Sequence, residues 1–121
     1  IKKFRNKKIR VSLFIEPKIS DISLSKKLGA DCVEIHTGKY CNLFNKNKNA
    51  NSEFHKIKKA AVHAKKIGLD VHAGHGFTYK SALKISKINE ITEFNIGHFI
   101  VSESIFIGLR NVIINFKKLL N

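Results

Sequence analysis

The sequence lacks the features that mark membrane proteins and disulfide-stapled secreted proteins. No apolar run approaches the roughly 20 residues of a membrane-spanning helix. The opening segment IKKFRNKK has no apolar core of a signal peptide. The two cysteines, Cys32 and Cys41, are too few for a disulfide framework. We therefore expect a cytoplasmic protein with reduced thiols and no membrane partner. Ile1 stands where a methionine would begin a chain, so we also expect a fragment or a processed product.

Acidic residues are scarce, at 9 against 23 lysines and arginines, which gives a formal net charge of +14. Such a charge attracts anions, and nucleic acid is one candidate partner. However, the lysines are spread along the whole chain, and no motif of a nucleic-acid-binding fold is visible. This pattern favours general surface charge, which is compatible with small anionic ligands. We expect no nucleic-acid partner, although a basic nucleic-acid-binding domain stays open as an alternative.

Segments rich in strand-forming residues alternate with segments of helical periodicity. We predict strands at 9–15, 32–35, 69–73 and 93–96. We predict helices at 21–30, 52–66, 78–88 and from 102 onward. The polar stretch 39–51 is predicted to be a mobile loop. Alternation of this kind indicates an α/β fold with a parallel sheet, either half of an eight-stranded (β/α) barrel or a small doubly wound sheet.

Polar, catalytically capable residues occur where the predicted strands end. They are Glu16, then Glu34, His36 and Thr37, then His72 and His75, and finally His98. Ligands of barrels and open α/β sheets bind at the carboxyl ends of the strands. The clustering therefore predicts a functional site at that edge of the sheet.

The alternation of apolar and polar residues along the second strand predicts which way the side chain of Glu34 points. Glu34 and His36 share one face of the strand, while Val33 and Ile35 share the other. In a barrel the apolar pair would face the helices, so Glu34 and His36 would point inward. An inward carboxylate needs a partner or a substrate, because an unpaired buried charge is costly. A carboxylate that only satisfies neighbouring polar groups is the alternative.

The segment DVHAGHGFTY places His75 between Gly74 and Gly76. Glycines free the backbone to turn and let N–H groups approach an anion. Helix N-termini predicted after AGHG and after NIGH would attract phosphate. A tight turn alone would use the same glycines. A metal site is a further alternative, but the four strand-end histidines lack clear ligand spacing, so we expect no metal.

Several of these segments together resemble one enzyme family. RVSLFIEP, GADCVEIHTGKY, KKIGLDVHAGHGFTY and EFNIGHFIVSESIFIGL look like the carboxyl-terminal half of pyridoxine 5'-phosphate synthase. The resemblance runs from about residue 8 to the end, and the motifs EIHTG, AGHG and NIGH carry it. It implies a (β/α)8 TIM barrel, of which residues 1–121 would be about the last four βα units, with no second domain.

The resemblance also implies a reaction and a set of roles. The family condenses 1-deoxy-D-xylulose 5-phosphate with 3-amino-2-oxopropyl phosphate to pyridoxine 5'-phosphate, phosphate and water, in vitamin B6 synthesis. It uses no metal or organic cofactor and forms homo-oligomers. His75 would be the proton donor and Glu34 a transition-state stabiliser. Gly76, Gly97 and His98 would bind the aminoketone phosphate. No role is implied for His72 or His36.

One departure from the family limits this expectation. The first four βα units are absent, and with them the other general bases and the groups that grip the deoxyxylulose phosphate. The arginines of this chain, Arg5, Arg10 and Arg110, do not lie at predicted strand ends. We therefore expect the chain to be inactive by itself. A non-catalytic phosphate-binding half barrel, which pairs with itself or with another chain, is the alternative.

Overall fold

The computed structural model describes residues 1–120. Four strands form one parallel sheet in the order β1-β2-β3-β4. They are β1 Ser12–Ile15, β2 Cys32–His36, β3 Asp70–Gly74 and β4 Glu93–Asn95. The helices are α1 Lys2–Arg5, α2 Ile19–Lys27, α3 Gly38–Asn45, α4 Asn51–Lys66, α5 Tyr79–Ile85, α6 His98–Ile107 and α7 Leu109–Leu120. The predicted alternation of strands and helices around a parallel sheet is confirmed.

One face of the sheet carries the apolar core. Val33, Ile35, Val71 and Ala73 are fully buried. They alternate along β2 and β3 with residues that point to the other face. Helix α4 covers this core with small residues spaced three and four apart, which lets it lie close to the strands. These are Ala60, Ala61 and Ala64, all with no exposed surface.

The opposite face of the sheet is polar and more open. Phe14, Glu34, His72 and Glu93 lie side by side across the four strands, as the strand register shows. Phe14, on the edge strand β1, is 56% exposed. The prediction that Glu34 points away from the helix-covered core is therefore correct.

The structure corrects the prediction of a mobile loop at 39–51. Residues 38–45 form α3, and Tyr40 and Cys41 on its inner side are buried. The prediction failed because the density of asparagine and lysine concealed the apolar positions Tyr40, Leu43 and Phe44, which lie on the core at helical spacing.

Elements at both ends of the chain also differ from the predictions. The first strand begins at Ser12 rather than at residue 9, and the short helix α1 precedes it. The predicted final helix is two helices, α6 and α7, which Gly108 separates with a φ of +80°. That conformation suits glycine and ends a helix. No helix within residues 1–120 is long and apolar enough to cross a membrane.

Candidate active site

The strand register brings the predicted site residues to one edge of the sheet. His36, Gly74 and Asn95 are neighbours across β2, β3 and β4 at the carboxyl ends of these strands. Glu34 lies two residues before His36, on the same face of β2. The loops that follow the strands therefore begin from one row of residues, which sets the floor of the site.

The carboxylate of Glu34 reaches across β3 to the neighbouring strand. Its Oε2 accepts a hydrogen bond of 2.7 Å from Nδ2 of Asn95. The side chain passes over Gly74, where an added Cβ would overlap Oε1 of Glu34. Gly74 thus has a steric role on the strand as well as a place in the turn. A charge-assisted bond of this kind orients a carboxylate without neutralising it.

His75 lies in a backbone conformation that few residues other than glycine adopt. Its φ is +84°, and that of Gly76 is +82°. Thr37 holds this turn, because its buried hydroxyl lies 2.7 Å from the carbonyl oxygen of Gly74 and 2.8 Å from that of His75. Asn45 of α3 donates to the carbonyl oxygen of Gly76 over 3.1 Å. The surrounding contacts thus fix a turn that would be strained by itself.

Gly76 is required for close packing against α3. An added Cβ at Gly76 would lie 2.9 Å from Cβ of Cys41. Cys41 is fully buried, and burial raises the pKa of its thiol, so the thiol stays neutral beneath the turn. Both cysteines are free and buried. Cys41 therefore serves packing in this position.

A cavity of about 760 Å³ opens above this floor. Its lining includes Glu34, His75, Gly76, Gly97 and His98, the five residues to which the family resemblance assigns roles. Asn95 and Ser102 lie among them, and apolar side chains form the rest of the wall. These are Phe14, Phe77, Ile96, Phe99, Val101 and Ile105. The cavity thus combines a few convergent polar groups with a mostly apolar wall, as small-molecule sites do.

The two helix N-termini near the cavity differ in whether side chains cap their backbone N–H groups. At α5, Oγ1 of Thr78 accepts from the backbone N–H of Ser81, and the Ser81 hydroxyl accepts from the N–H of Thr78. At α6, the first helical residue is His98, and Gly97 before it offers no side-chain cap. An added Cβ at Gly97 would meet nothing within 4 Å. Of these two termini, α6 is the one whose N–H groups are available to an anion.

Two strand-end histidines lie outside this cavity. His72 is 6% exposed, and its Nδ1 lies 3.1 Å from Oε1 of Glu93 and 3.7 Å from Sγ of Cys32. The ring of His36 contacts the ring of His75, and its Nδ1 forms a hydrogen bond with Glu16. Within residues 1–120, no group of three or more His, Cys, Asp or Glu side chains is arranged to hold a metal ion.

Sequence reasoning does not predict what two residues do in the site. Asn95 orients Glu34, and an asparagine at a strand end is too common to indicate this. Thr37 is predicted at a strand end, but its hydrogen bonds to the His75 turn depend on a contact between two segments. The Thr-Gly dipeptide after EIH and the Asn of NIGH are the available signals.

Comparison with known proteins identifies relatives along the whole chain. The model of the family described as pyridoxal phosphate biosynthesis protein PdxJ matches residues 1–121. The chain is 52% identical over 118 residues to pyridoxine 5'-phosphate synthase of Pelagibacter ubique, covering 98% of this chain and 49% of that protein. It is 46% identical over 120 residues to the synthase of a Sulfurihydrogenibium species, covering 99% and 49%. The chain therefore spans about half the length of the curated relatives it matches.

Proposed function

The chain belongs to the PdxJ family of pyridoxal phosphate biosynthesis proteins, and from this premise we propose that it is the carboxyl-terminal half of a pyridoxine 5'-phosphate synthase. In the proposed reaction 1-deoxy-D-xylulose 5-phosphate condenses with 3-amino-2-oxopropyl phosphate. The products are pyridoxine 5'-phosphate, inorganic phosphate and water. The protein would act in the cytoplasm, in vitamin B6 synthesis.

The observation that carries this proposal is the convergence of Glu34, His75, Gly76, Gly97 and His98 on one cavity. These residues come from three places that are distant in sequence: strand β2, the turn after β3 and the start of α6. Their side chains and backbone groups supply a proton donor, a carboxylate and anion-binding N–H groups. Both proposed substrates carry phosphate, and the net charge of +14 would attract them.

Each proposed role follows from the position of the group in the cavity. Ring closure requires imine formation, loss of water and loss of phosphate, and each of these steps moves protons. His75 would donate a proton, since imidazole titrates near neutral pH. Glu34, oriented by Asn95, would stabilise positive charge that develops in the transition state. Gly76, Gly97 and His98 would hold the phosphate of the aminoketone at the uncapped N-terminus of α6.

The sheet supports the further proposal that residues 1–121 are half of one (β/α)8 barrel domain. Its strands follow one another in sequence order, unlike the strands of doubly wound sheets, where the order reverses. The edge strand β1 exposes Phe14, and α6 exposes Ile105 and Phe106 at 79% and 82%. Four more βα units would cover such apolar surface and supply the remaining catalytic groups. Further contacts in a homo-oligomer would cover more of it.

The test is synthesis by a complete barrel that carries this chain as its second half. Purified protein is mixed with both phosphorylated substrates, and pyridoxine 5'-phosphate is detected by mass. The variant His75→Asn should lower turnover by roughly 10²- to 10⁴-fold, the usual contribution of a positioned acid. The matched control, His55→Asn, alters an exposed histidine on α4 and should leave turnover unchanged. Unchanged turnover in His75→Asn would refute the proposed role, and absence of product from the parent protein would refute the proposed function.

A further inference from the structure

His36 makes a short hydrogen bond with a residue of the neighbouring strand end. Its Nδ1 lies 2.6 Å from Oε1 of Glu16, which follows β1 by one residue. Glu16 and His36 come directly after Ile15 and Ile35, the last residues that pair between β1 and β2. Because carboxylate oxygens accept and do not donate when ionised, Nδ1 of His36 carries the proton of this bond.

The ring of His36 also touches the ring of His75. Their centroids lie 4.9 Å apart, and the planes meet at 73°, an edge-to-face contact. Gly38 keeps this contact possible, because an added Cβ there would lie 2.6 Å from Nε2 of His36 and 2.8 Å from Cδ2 of His75. His36 is therefore in direct contact with His75, which lines the cavity.

His36 is restrained from a further side by the ring of Phe14, with centroids 5.0 Å apart at 62°. The side chain of His36 is 27% exposed, whereas His75 is exposed. An exposed imidazole on a glycine-flanked turn has few contacts to select its rotamer. The contact with His36 supplies one.

We propose that Glu16 and His36 form a positioning pair that sets the orientation of the His75 imidazole in the cavity. Glu16 would fix the tautomer and the ring plane of His36, and His36 would in turn limit the rotation of His75. This inference rests on the proposed function in so far as His75 acts as the proton donor. It adds two residues that act through His75 and do not touch the substrate.

If Glu16 and His36 only stabilised the fold, loss of Glu16 would lower the stability of the protein. The side chain of Glu16 is 53% exposed, and ion pairs so exposed contribute little to stability. Loss of Glu16 should therefore leave the fold intact while His75 loses its orientation. Small misplacements of a catalytic group lower the chemical step more than they lower binding.

The first experiment measures turnover in the complete barrel. Glu16→Ala should lower kcat by roughly 10- to 100-fold with KM little changed, as expected for a misoriented group. Glu16→Gln keeps an oxygen that can accept from Nδ1 of His36, so it should restore part of that loss. Glu90→Ala is the matched control, a glutamate distant in sequence from both histidines, and should not change kcat. A kcat of Glu16→Ala equal to that of Glu90→Ala would overturn the proposal.

The second experiment uses the 121-residue chain and does not depend on catalysis. The ring nitrogens of ¹⁵N-labelled histidines are observed by NMR at about pH 8.5, well above the ordinary imidazole pKa. His36 should be protonated at Nδ1, and Glu16→Ala should shift the signals of His36 and His75 but not those of His98. Unshifted His75 signals would overturn the proposal. If the complete barrel makes no product, the proposed function fails, and these signals still decide whether the pair orients His75.

Discussion

Nδ2 of Asn95 donates a hydrogen bond of 2.7 Å to Oε2 of Glu34, and the bond spans the width of strand β3. The two residues lie on β2 and β4, which are not adjacent. The bond is possible because the residue between them is Gly74, which leaves room for the carboxylate. The orientation of Glu34, the proposed transition-state stabiliser, thus depends on the amide of Asn95 and on the absence of a side chain at Gly74.

Removal of the amide should lower turnover. Asn95→Ala in the complete barrel should reduce kcat by roughly 10- to 100-fold, because hydrogen bonds to charged groups contribute about 1.5–3 kcal/mol. Asn95→Asp should reduce it further, since a second carboxylate would face Glu34. Steady-state kinetics check both variants. Turnover of Asn95→Asp at the parent rate would show that Glu34 needs no orienting donor.

Gly74→Ala should destabilise the chain. The new Cβ would overlap Oε1 of Glu34, so either the carboxylate must leave its hydrogen bond to Asn95 or the strand must shift. Either change costs about 1–3 kcal/mol. Gly97→Ala is the matched control for stability, because its Cβ would enter open space. Denaturant unfolding of both variants checks the difference, and equal free energies of unfolding would contradict it.

Thr37→Val should loosen the turn at His75. The single hydroxyl proton of Thr37 is shared between the carbonyl oxygens of Gly74 and His75, and the side chain is fully buried. The Gly74 carbonyl keeps the backbone N–H of Thr37 at 2.9 Å, but the His75 carbonyl loses this donor, at a cost of about 1–3 kcal/mol. Thr92→Val alters an exposed threonine whose hydroxyl lies 3.3 Å from its acceptor, so it should cost within about 0.5 kcal/mol. Thermal unfolding measures both, and a cost for Thr37→Val no larger than for Thr92→Val would refute this account of the turn.

Glu53 should make the free energy of unfolding depend on pH in the acid range. It is 8% exposed, and the ammonium groups of Lys56 and Lys39 lie 2.8 Å and 3.0 Å from its Oε1. The hydrogen bond from Lys56, more than the one from Lys39, holds the pKa of this carboxyl below its usual range. A lowered pKa in the folded state stabilises the protein above the unfolded pKa of about 4.3, and this stability is lost as the pH falls through the folded value.

Urea unfolding between neutral and acid pH measures this contribution. The unfolding free energy of the parent chain should fall more steeply in acid than that of Glu53→Gln, whose side chain does not titrate. Lys56→Gln should give an intermediate slope, since Lys39 remains. Parallel profiles for the parent chain and Glu53→Gln would contradict the assignment.

The fold was predictable from the sequence where the spacing of apolar residues agreed with the polar and glycine residues at the ends of an element. Helix α4 shows apolar residues three and four apart between a polar start and Gly68, and the prediction of 52–66 differs from the structure by one residue. Helix α3 was not predictable in the same way. Its apolar residues are few and lie among asparagines and lysines, and tertiary contact with the core decides its state.

The site was predictable up to the edge of the sheet on which it lies. Strand ends in a parallel sheet meet, so Glu34, His75 and His98 could be grouped without coordinates. The contacts that orient them could not be foreseen, because they depend on strand register and loop packing. The bond from Asn95 to Glu34 and the edge-to-face contact of His36 with His75 are both of this kind.

Binding of the aminoketone phosphate to the 121-residue chain is the most direct test of the proposed site. The chain is ¹⁵N-labelled, and its amide signals are followed by NMR as 3-amino-2-oxopropyl phosphate is added. The account predicts saturable shifts at Gly76, Gly97 and His98, and their loss in His98→Ala but not in His55→Ala. Shifts confined to lysine-rich surfaces, or equal in both variants, would contradict it.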